Sequence, residues 1–140
     1  MGELDFENVV FGYGGNALFN DFSASFAKEQ ISCIVGPNGC GKSTLAKLAM
    51  GLIKPASGRV LIPGRDVASL NPRERARRLG VLVQQQEAPM MTVRELAACG
   101  RFPHHGPLSR LDETDAQCID ETLSLAGVND LRDRPLRSLS

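Results

Sequence analysis

The sequence predicts an α/β fold, and three patterns along its 140 residues support this expectation. Apolar and polar residues alternate near the start, as in β-strands with one buried face. A short β-rich apolar run then precedes a glycine-rich segment and a helical pattern. Helical periodicity dominates the last third of the chain. With 42% apolar and 23% charged residues, the chain is expected to form about one globular domain.

The first part of the chain predicts three strands. Leu4–Val10 alternates apolar with acidic residues, and Phe22–Phe26 alternates apolar residues with serines. A glycine-rich turn at residues 12–16 separates the two segments. The third strand, Ile31–Val35, is apolar and β-rich, which is typical of a strand buried on both faces.

The middle of the chain predicts a helix, a hairpin and a second helix. Apolar residues at helical spacing indicate the first helix at Lys42–Met50. Residues 59–62, followed by Pro63-Gly64, predict a β-hairpin. Asn71-Pro72 is a typical helix start, here of a polar helix over residues 73–78. We expect its arginines to form a solvated face rather than a nucleic-acid patch, because no aromatic residue lies among them.

Four further segments complete the prediction. Residues 79–83 indicate another buried strand. Thr92–Glu95 is a capping box that opens a short helix ending near Gly100. Residues 112–126 predict a longer helix with one apolar stripe. The last segment, residues 130–140, is polar with a few leucine anchors.

Charge and cysteine content exclude several functions. Sixteen basic and sixteen acidic residues give a formal net charge of zero, which removes the main electrostatic reason for non-specific binding to nucleic acid or anionic membranes. No apolar run approaches the roughly 18 residues of a membrane span, and the acidic start does not resemble a secretory signal. The cysteines lack CxxC spacing, so we expect free thiols in a reducing cytoplasm. They are Cys33, Cys40, Cys99 and Cys118.

A metal site is the alternative for the cysteine and histidines near residue 100. Cys99, His104 and His105 lack the spacing and the fourth partner of a zinc site. We therefore expect a small buried cysteine and two solvated loop histidines.

The segment from residue 36 to residue 44 carries the chemistry, because it fits the phosphate-binding pattern G-x-x-x-x-G-K-[ST]. Its glycines allow successive backbone N–H groups to point into one concavity, and the following helix presents its positive end to an anion. We expect Lys42 to neutralise the β- and γ-phosphates, Ser43 to ligate Mg²⁺ and Thr44 to lie near the α-phosphate. The candidate nucleotide-binding residues are Gly36, Pro37, Asn38, Gly39, Cys40, Gly41, Lys42, Ser43 and Thr44.

With Tyr13 upstream and Gln84 downstream, this loop resembles that of the ATP-binding subunits of ABC (ATP-binding cassette) transporters. The similarity extends over the whole chain, with family markers in order at residues 52–58, 64–66 and 139–140. The resemblance implies that Tyr13 stacks on adenine. It also implies that Gln84 reaches Mg²⁺ and the attacking water, which makes Lys42 and Gln84 the supporting catalytic residues and Ser43 and Gln84 the metal ligands.

The same resemblance implies a P-loop NTPase architecture. An antiparallel β subdomain and the phosphate-loop core are expected over residues 1–91, and part of a helical subdomain over residues 92–140. The family's domain continues beyond this point with the rest of its signature motif, an Mg²⁺-binding Asp, a catalytic Glu and a switch His. We therefore expect an incomplete sheet, and a chain of marginal stability that does not hydrolyse ATP alone.

A narrower resemblance concerns cargo. Residues 92–96 and 100–104 are similar to importers of iron–siderophore complexes, haem and cobalamin. The implied partners are a second copy of the subunit and permease subunits docking near the Gln84 loop and the 92–126 helices, at the inner face of the membrane. Two departures are Val83, where a proline is frequent, and residues 28–30, which replace a turn that usually holds glycine.

Two other functions stay open. The chain could be a non-hydrolytic nucleotide-binding fragment without a transport role. A soluble ABC ATPase of DNA repair is disfavoured by the neutral net charge and by the lack of coiled-coil heptads.

Overall fold

A computed structural model describes residues 3–82, 88–105 and 110–139 of the chain. The chain divides into two compact units, Met1–Val81 and Leu82–Ser140. The first unit contains β1 (Leu4–Tyr13), β2 (Asn16–Phe26), α1 (Lys42–Ala49), β3 (Ser57–Ile62), β4 (Arg65–Asp66) and α2 (Pro72–Ala76). The second contains α3 (Val93–Cys99) and α4 (Glu113–Leu125). Single 3-10 turns at Val67–Ser69, Phe102–His104, Asn129–Leu131 and Leu136–Ser138 were not predicted.

The first unit is built on a four-stranded antiparallel sheet in the order β2-β1-β3-β4. Both predicted hairpins are present, because glycine-containing turns allow the positive φ angles that tight hairpins require. Gly14, Gly15 and Gly64 have φ angles of 55°, 86° and 70°. The strands β1 and β2 extend further than predicted, to Tyr13 and from Asn16.

Helix α1 packs against the sheet and supplies three of the eight residues of the buried apolar core. Its Leu45 and Leu48 are buried, as are Phe6 and Val9 of β1. The helix begins directly after the glycine-rich loop, so the same packing that buries α1 fixes where the loop ends. The buried core cluster comprises Phe6, Val9, Leu45, Leu48, Ala49, Val60, Ile62 and Val67.

Two predicted strands are not formed. Residues 31–35 and 79–82 have no regular secondary structure, and Ile31, Val35 and Leu82 are largely exposed. An apolar strand of this type is stable only with paired neighbours and covered faces. The described residues pair no strand with either segment, so the prediction of strands here is wrong for this chain.

The helix starts follow the sequence closely. Three pairs form capping boxes, in which each side chain accepts a hydrogen bond from the backbone N–H of the other residue. They are Asn71 with Glu74, Thr92 with Glu95, and Asp112 with Asp115. Of the predicted apolar stripe on α4, Ile119 and Leu123 are buried, whereas Ala126 at its end is exposed. The four cysteines are free thiols. Among the described residues, no helix is long and apolar enough to cross a membrane.

Candidate functional site

The glycine-rich loop ends in a left-handed residue at the start of α1. Gly39 and Gly41 have φ angles of 81° and 101°, which favour glycine strongly over residues with a side chain. Gly41 is the N-cap of α1 and offers no side-chain cap. The first-turn N–H groups of a helix lack intrahelical partners, so this end of α1 suits an oxygen-rich anion.

Lys42 extends back over the loop. Its Nζ atom donates hydrogen bonds to the carbonyl oxygens of Gly36 and Pro37, both at 2.7 Å. The Sγ atom of Cys40 lies 3.8 Å from the same Nζ atom. The ammonium group is thus held beside the loop backbone, where it can neutralise an anion that the loop binds.

The two hydroxyl residues that follow have different environments. Ser43 is exposed, whereas Thr44 is buried. An exposed hydroxyl on the first turn of α1 is accessible to a hydrated cation, while the Thr44 side chain is covered by the unit's own atoms. The loop residues 36–40 are exposed, so the site is open to solvent.

Tyr13 lies at the end of β1, in the hairpin with Asn16. Its ring is 52% exposed and packs edge-on against Phe11, with ring centroids 4.9 Å apart at 88°. The Tyr13 side chain is thus held by Phe11 and is about half accessible to solvent. Gln84 and Val83 lie outside the described residues.

Phe19 and Leu18 of β2 contact the loop, which sequence reasoning missed. A Cβ atom at Gly41 would lie 2.7 Å from Phe19 Cζ and 3.2 Å from Leu18 Cδ2. No local motif marks these two residues, since apolar residues at the start of a strand are common. Only the packing of β2 beside α1 reveals the contact.

The arginines of α2 are not a uniformly solvated face. Arg75 is partly buried and donates through Nη1 to the carbonyl oxygens of Leu70 at 3.0 Å and Val67 at 3.4 Å. Its role is structural, because it satisfies carbonyl groups of the preceding turn. A nucleic-acid function for this helix gains no support.

In the second unit, Asp115 joins the end of α3 to the start of α4. Its side chain is 1% exposed, and its Oδ1 accepts a hydrogen bond from Arg101 Nε at 2.7 Å. His105 Nε2 lies 2.7 Å from Oδ2 and its side chain is 17% exposed. The expectation that His105 is a solvated loop histidine is therefore wrong, because its ring is directed at a buried carboxylate. No cluster that could hold a metal ion occurs among the described residues.

The pKa of Asp115 is lowered well below its usual range. The main cause is the backbone N–H of Asp112, which donates to Asp115 Oδ2 at 2.9 Å. Hydrogen bonding to Arg101 and the nearby His105 lower it further, against the opposing effect of burial. The same hydrogen bond to Asp115 raises the pKa of Arg101. Both groups are therefore charged at neutral pH.

Comparison with known proteins identifies the class to which this fold and loop belong. The chain matches the ABC transporter family over residues 19–140, and it therefore belongs to that family. Tyr13 lies before the matched range. The chain also superposes on a nucleotide-free ATP-binding cassette from an ABC transporter with a TM-score of 0.80 and 30% identity, covering 100% of this chain and 60% of that one. The predicted α/β class is confirmed.

Two curated relatives show which branch of the family is similar. The iron(3+)-hydroxamate import ATP-binding protein FhuC of Bacillus subtilis is 34% identical over 141 residues, covering 100% of this chain and 52% of the relative. The ferric enterobactin transport ATP-binding protein FepC of Escherichia coli is 33% identical over 135 residues, covering 96% of this chain and 50% of the relative. The chain thus spans about half the length of these relatives.

Proposed function

We propose that this chain is the nucleotide-binding part of an ATP-binding subunit that powers an ABC importer of iron–siderophore, haem or cobalamin-like complexes. The observation that carries the proposal is the loop at the start of α1. There, Gly41 leaves the helix end uncapped and Lys42 Nζ lies 2.7 Å from two loop carbonyl oxygens. Within an ABC transporter family member, that arrangement suits the triphosphate of ATP. The names of FhuC and FepC support the choice of cargo.

The residues present fit Mg-ATP. The uncapped N–H groups of α1 would hold phosphate oxygens, and the Lys42 ammonium would neutralise their charge. The exposed Ser43 hydroxyl and Gln84 would hold Mg²⁺, and the half-exposed Tyr13 ring would stack on adenine. Bound Mg²⁺ supplies charge neutralisation and orientation of the phosphates. Buried Thr44 would act mainly through its backbone N–H.

Hydrolysis is proposed for a complete cassette. The chain spans about half the length of relatives such as FhuC. We therefore assign Lys42 and Gln84 supporting roles in hydrolysis, and we propose that these 140 residues by themselves bind the nucleotide. We further propose that residues 1–91 form the phosphate-loop core with its antiparallel sheet. Residues 92–140 would form part of the helical subdomain.

The proposed partners are a second copy of the subunit and the permease subunits of the importer. A groove of about 300 Å³ in the second unit supports a docking role near α3, because four of its seven lining residues are apolar and one of these, Met90, is strongly exposed. Among its lining residues are Pro89, Met91 and Pro135. Through such a permease the subunit would lie at the inner face of the membrane. No nucleic-acid partner is proposed.

Calorimetric titration of the chain with ATP and Mg²⁺ tests the nucleotide site. We expect Lys42→Ala to weaken binding by at least about tenfold, since a charge-assisted contact to phosphate is lost. Lys47→Ala is the matched control, because Lys47 is an exposed lysine on the same helix. Equal affinities of Lys42→Ala and the wild type, or no binding by the folded wild type, would refute the site.

The transport role is tested in cells. A Lys42→Ala allele of the intact gene is expected to abolish uptake of a radiolabelled ferric siderophore, whereas a Lys47→Ala allele retains it. Uptake that survives the Lys42 substitution would contradict the assignment to an importer.

A further inference from the structure

Leu18 and Phe19 of β2 have no direct role in the proposed nucleotide chemistry. The pairing of β1 with β2 matches Phe11 with Phe19 and then Gly12 with Ala17, so Leu18 is an extra residue without a cross-strand partner. This is a β-bulge. Successive residues of a regular strand point to opposite faces of the sheet, but a bulge redirects side chains locally.

The consequence is that both Leu18 and Phe19 reach the same glycine. A Cβ atom at Gly41 would lie 2.7 Å from Phe19 Cζ and 3.2 Å from Leu18 Cδ2. Gly41 is the residue whose φ angle of 101° turns the loop into α1. The two side chains therefore cover Gly41 on one side and limit the conformations that it can adopt.

Phe19 is itself fixed from two directions. Its ring is 5.3 Å from that of Phe22, which packs at 5.7 Å on the buried Phe6. Across the strands, Phe19 pairs with Phe11, whose ring contacts Tyr13. A series of aromatic ring contacts thus leads from the core through Phe22 to Phe19, beside the loop.

We propose that Leu18 and Phe19 are positioning residues for the phosphate loop: the β2 bulge directs both onto Gly41 and fixes the loop for a triphosphate before nucleotide binds. This inference rests on the proposed nucleotide site. It assigns to β2 a role in binding phosphates, in addition to its role in the sheet.

Two probes separate positioning of the loop from adenine stacking. Inorganic tripolyphosphate carries the phosphate chain without a base, so its affinity reports on the loop alone. We expect Phe19→Leu to weaken Mg-ATP and Mg-tripolyphosphate by the same factor, on the order of tenfold. Leu18 lies at the bulge and is half-buried. We expect Leu18→Ala to weaken both ligands as well, and this variant replaces Phe19→Leu in the test if Phe19→Leu does not fold.

The control variant is Phe26→Leu, at the other end of the aromatic series beside Phe6. It is expected to lower stability to urea without changing either affinity of the folded protein. Amide hydrogen exchange at Gly41, without nucleotide, is expected to be faster in Phe19→Leu than in Phe26→Leu.

The outcomes are distinguishable. If wild type binds both probes and the folded Phe19→Leu and Leu18→Ala variants bind them equally well, the positioning role is wrong and the nucleotide site stands. A loss restricted to ATP also overturns the positioning role. If wild type binds neither probe, the proposed nucleotide site fails and the positioning role fails with it.

Discussion

Arg101 donates a hydrogen bond from Nε to Oδ1 of the buried Asp115 at 2.7 Å and thereby ties the end of α3 to the first turn of α4. Asp115 also completes the capping box of α4 with Asp112. One carboxylate therefore serves as a helix cap and as the partner of a charge. Burying a carboxylate is costly unless it is paired and hydrogen-bonded in this way.

We expect Asp115→Asn to lower the free energy of unfolding at neutral pH. The folded-state pKa of Asp115 lies below its ordinary value. The charged carboxylate therefore contributes stability at pH values above about 4, and this contribution is lost as the pH falls through the folded-state pKa. The difference in stability between wild type and Asp115→Asn is therefore expected to shrink on acidification. Urea unfolding followed by circular dichroism at pH 7, 5 and 3 measures it.

Asp120→Asn is the control for this prediction. Asp120 lies on the same helix and pairs with Arg132 at 3.0 Å, but half of its side chain is exposed. An exposed ion pair contributes about 0–1 kcal/mol, so a small effect on the free energy of unfolding is expected. Equal effects of the two substitutions would contradict a special role for Asp115.

Tyr13→Ala is expected to weaken ATP binding by about 1 kcal/mol, because stacking of an aromatic ring on adenine is lost. Tyr13→Phe retains the ring and its edge-on contact with Phe11, so it should bind ATP nearly as the wild type does. Calorimetric titration with ATP and with inorganic tripolyphosphate measures the affinity of both variants for each ligand. If Tyr13→Ala weakens the two ligands equally, Tyr13 does not contact the base.

Glu29→Gly is expected to stabilise the first unit by up to about 1 kcal/mol. Glu29 has a φ angle of 58°, a left-handed conformation that is unfavourable for residues with a Cβ atom. Glycine removes this strain, although its greater freedom in the unfolded chain offsets part of the gain. Thermal unfolding should show a higher midpoint. Lys28→Gly, one residue earlier, is the control and is expected to destabilise.

A substitution at Ile31 tests whether residues 31–35, which form no strand, contribute to the stability of the first unit. Because its side chain is fully exposed, Ile31→Ser should change the free energy of unfolding by less than about 0.5 kcal/mol. It should also reduce light scattering in concentrated solution, since an exposed apolar residue is removed. Ile62→Ser is the contrast, because Ile62 is buried in β3 and its loss should cost several kcal/mol, about 2–5.

A marginal Ile62→Ser effect would mean that the sheet is not cooperatively folded. Reversible urea unfolding of the wild type with a sharp transition would contradict the expectation that this chain is only marginally stable.

Local patterns accounted for the elements whose signals lie within a few residues of one another. The capping boxes at Asn71, Thr92 and Asp112 were formed as the residue types require. The motif at residues 36–44 predicted a loop that leads directly into α1, and the positive φ angles of Gly39 and Gly41 bear out that geometry. The prediction failed at residues 31–35, because a strand of this type depends on distant neighbours rather than on its own composition.

By itself, then, the sequence determined the helix starts, the hairpins, the glycine-rich loop before α1 and membership of the ABC transporter family, because each follows from backbone preferences and motifs that act over short distances. Tertiary structure alone decided that His105 faces the buried Asp115, that Arg75 satisfies carbonyl groups, and that Phe19 covers Gly41. No sequence motif marks any of these contacts, although Arg75 bonds to carbonyl groups only five and eight residues earlier in the chain. They form when β2 packs beside α1, when the α3–α4 connection folds, and when α2 packs on the turn that precedes it.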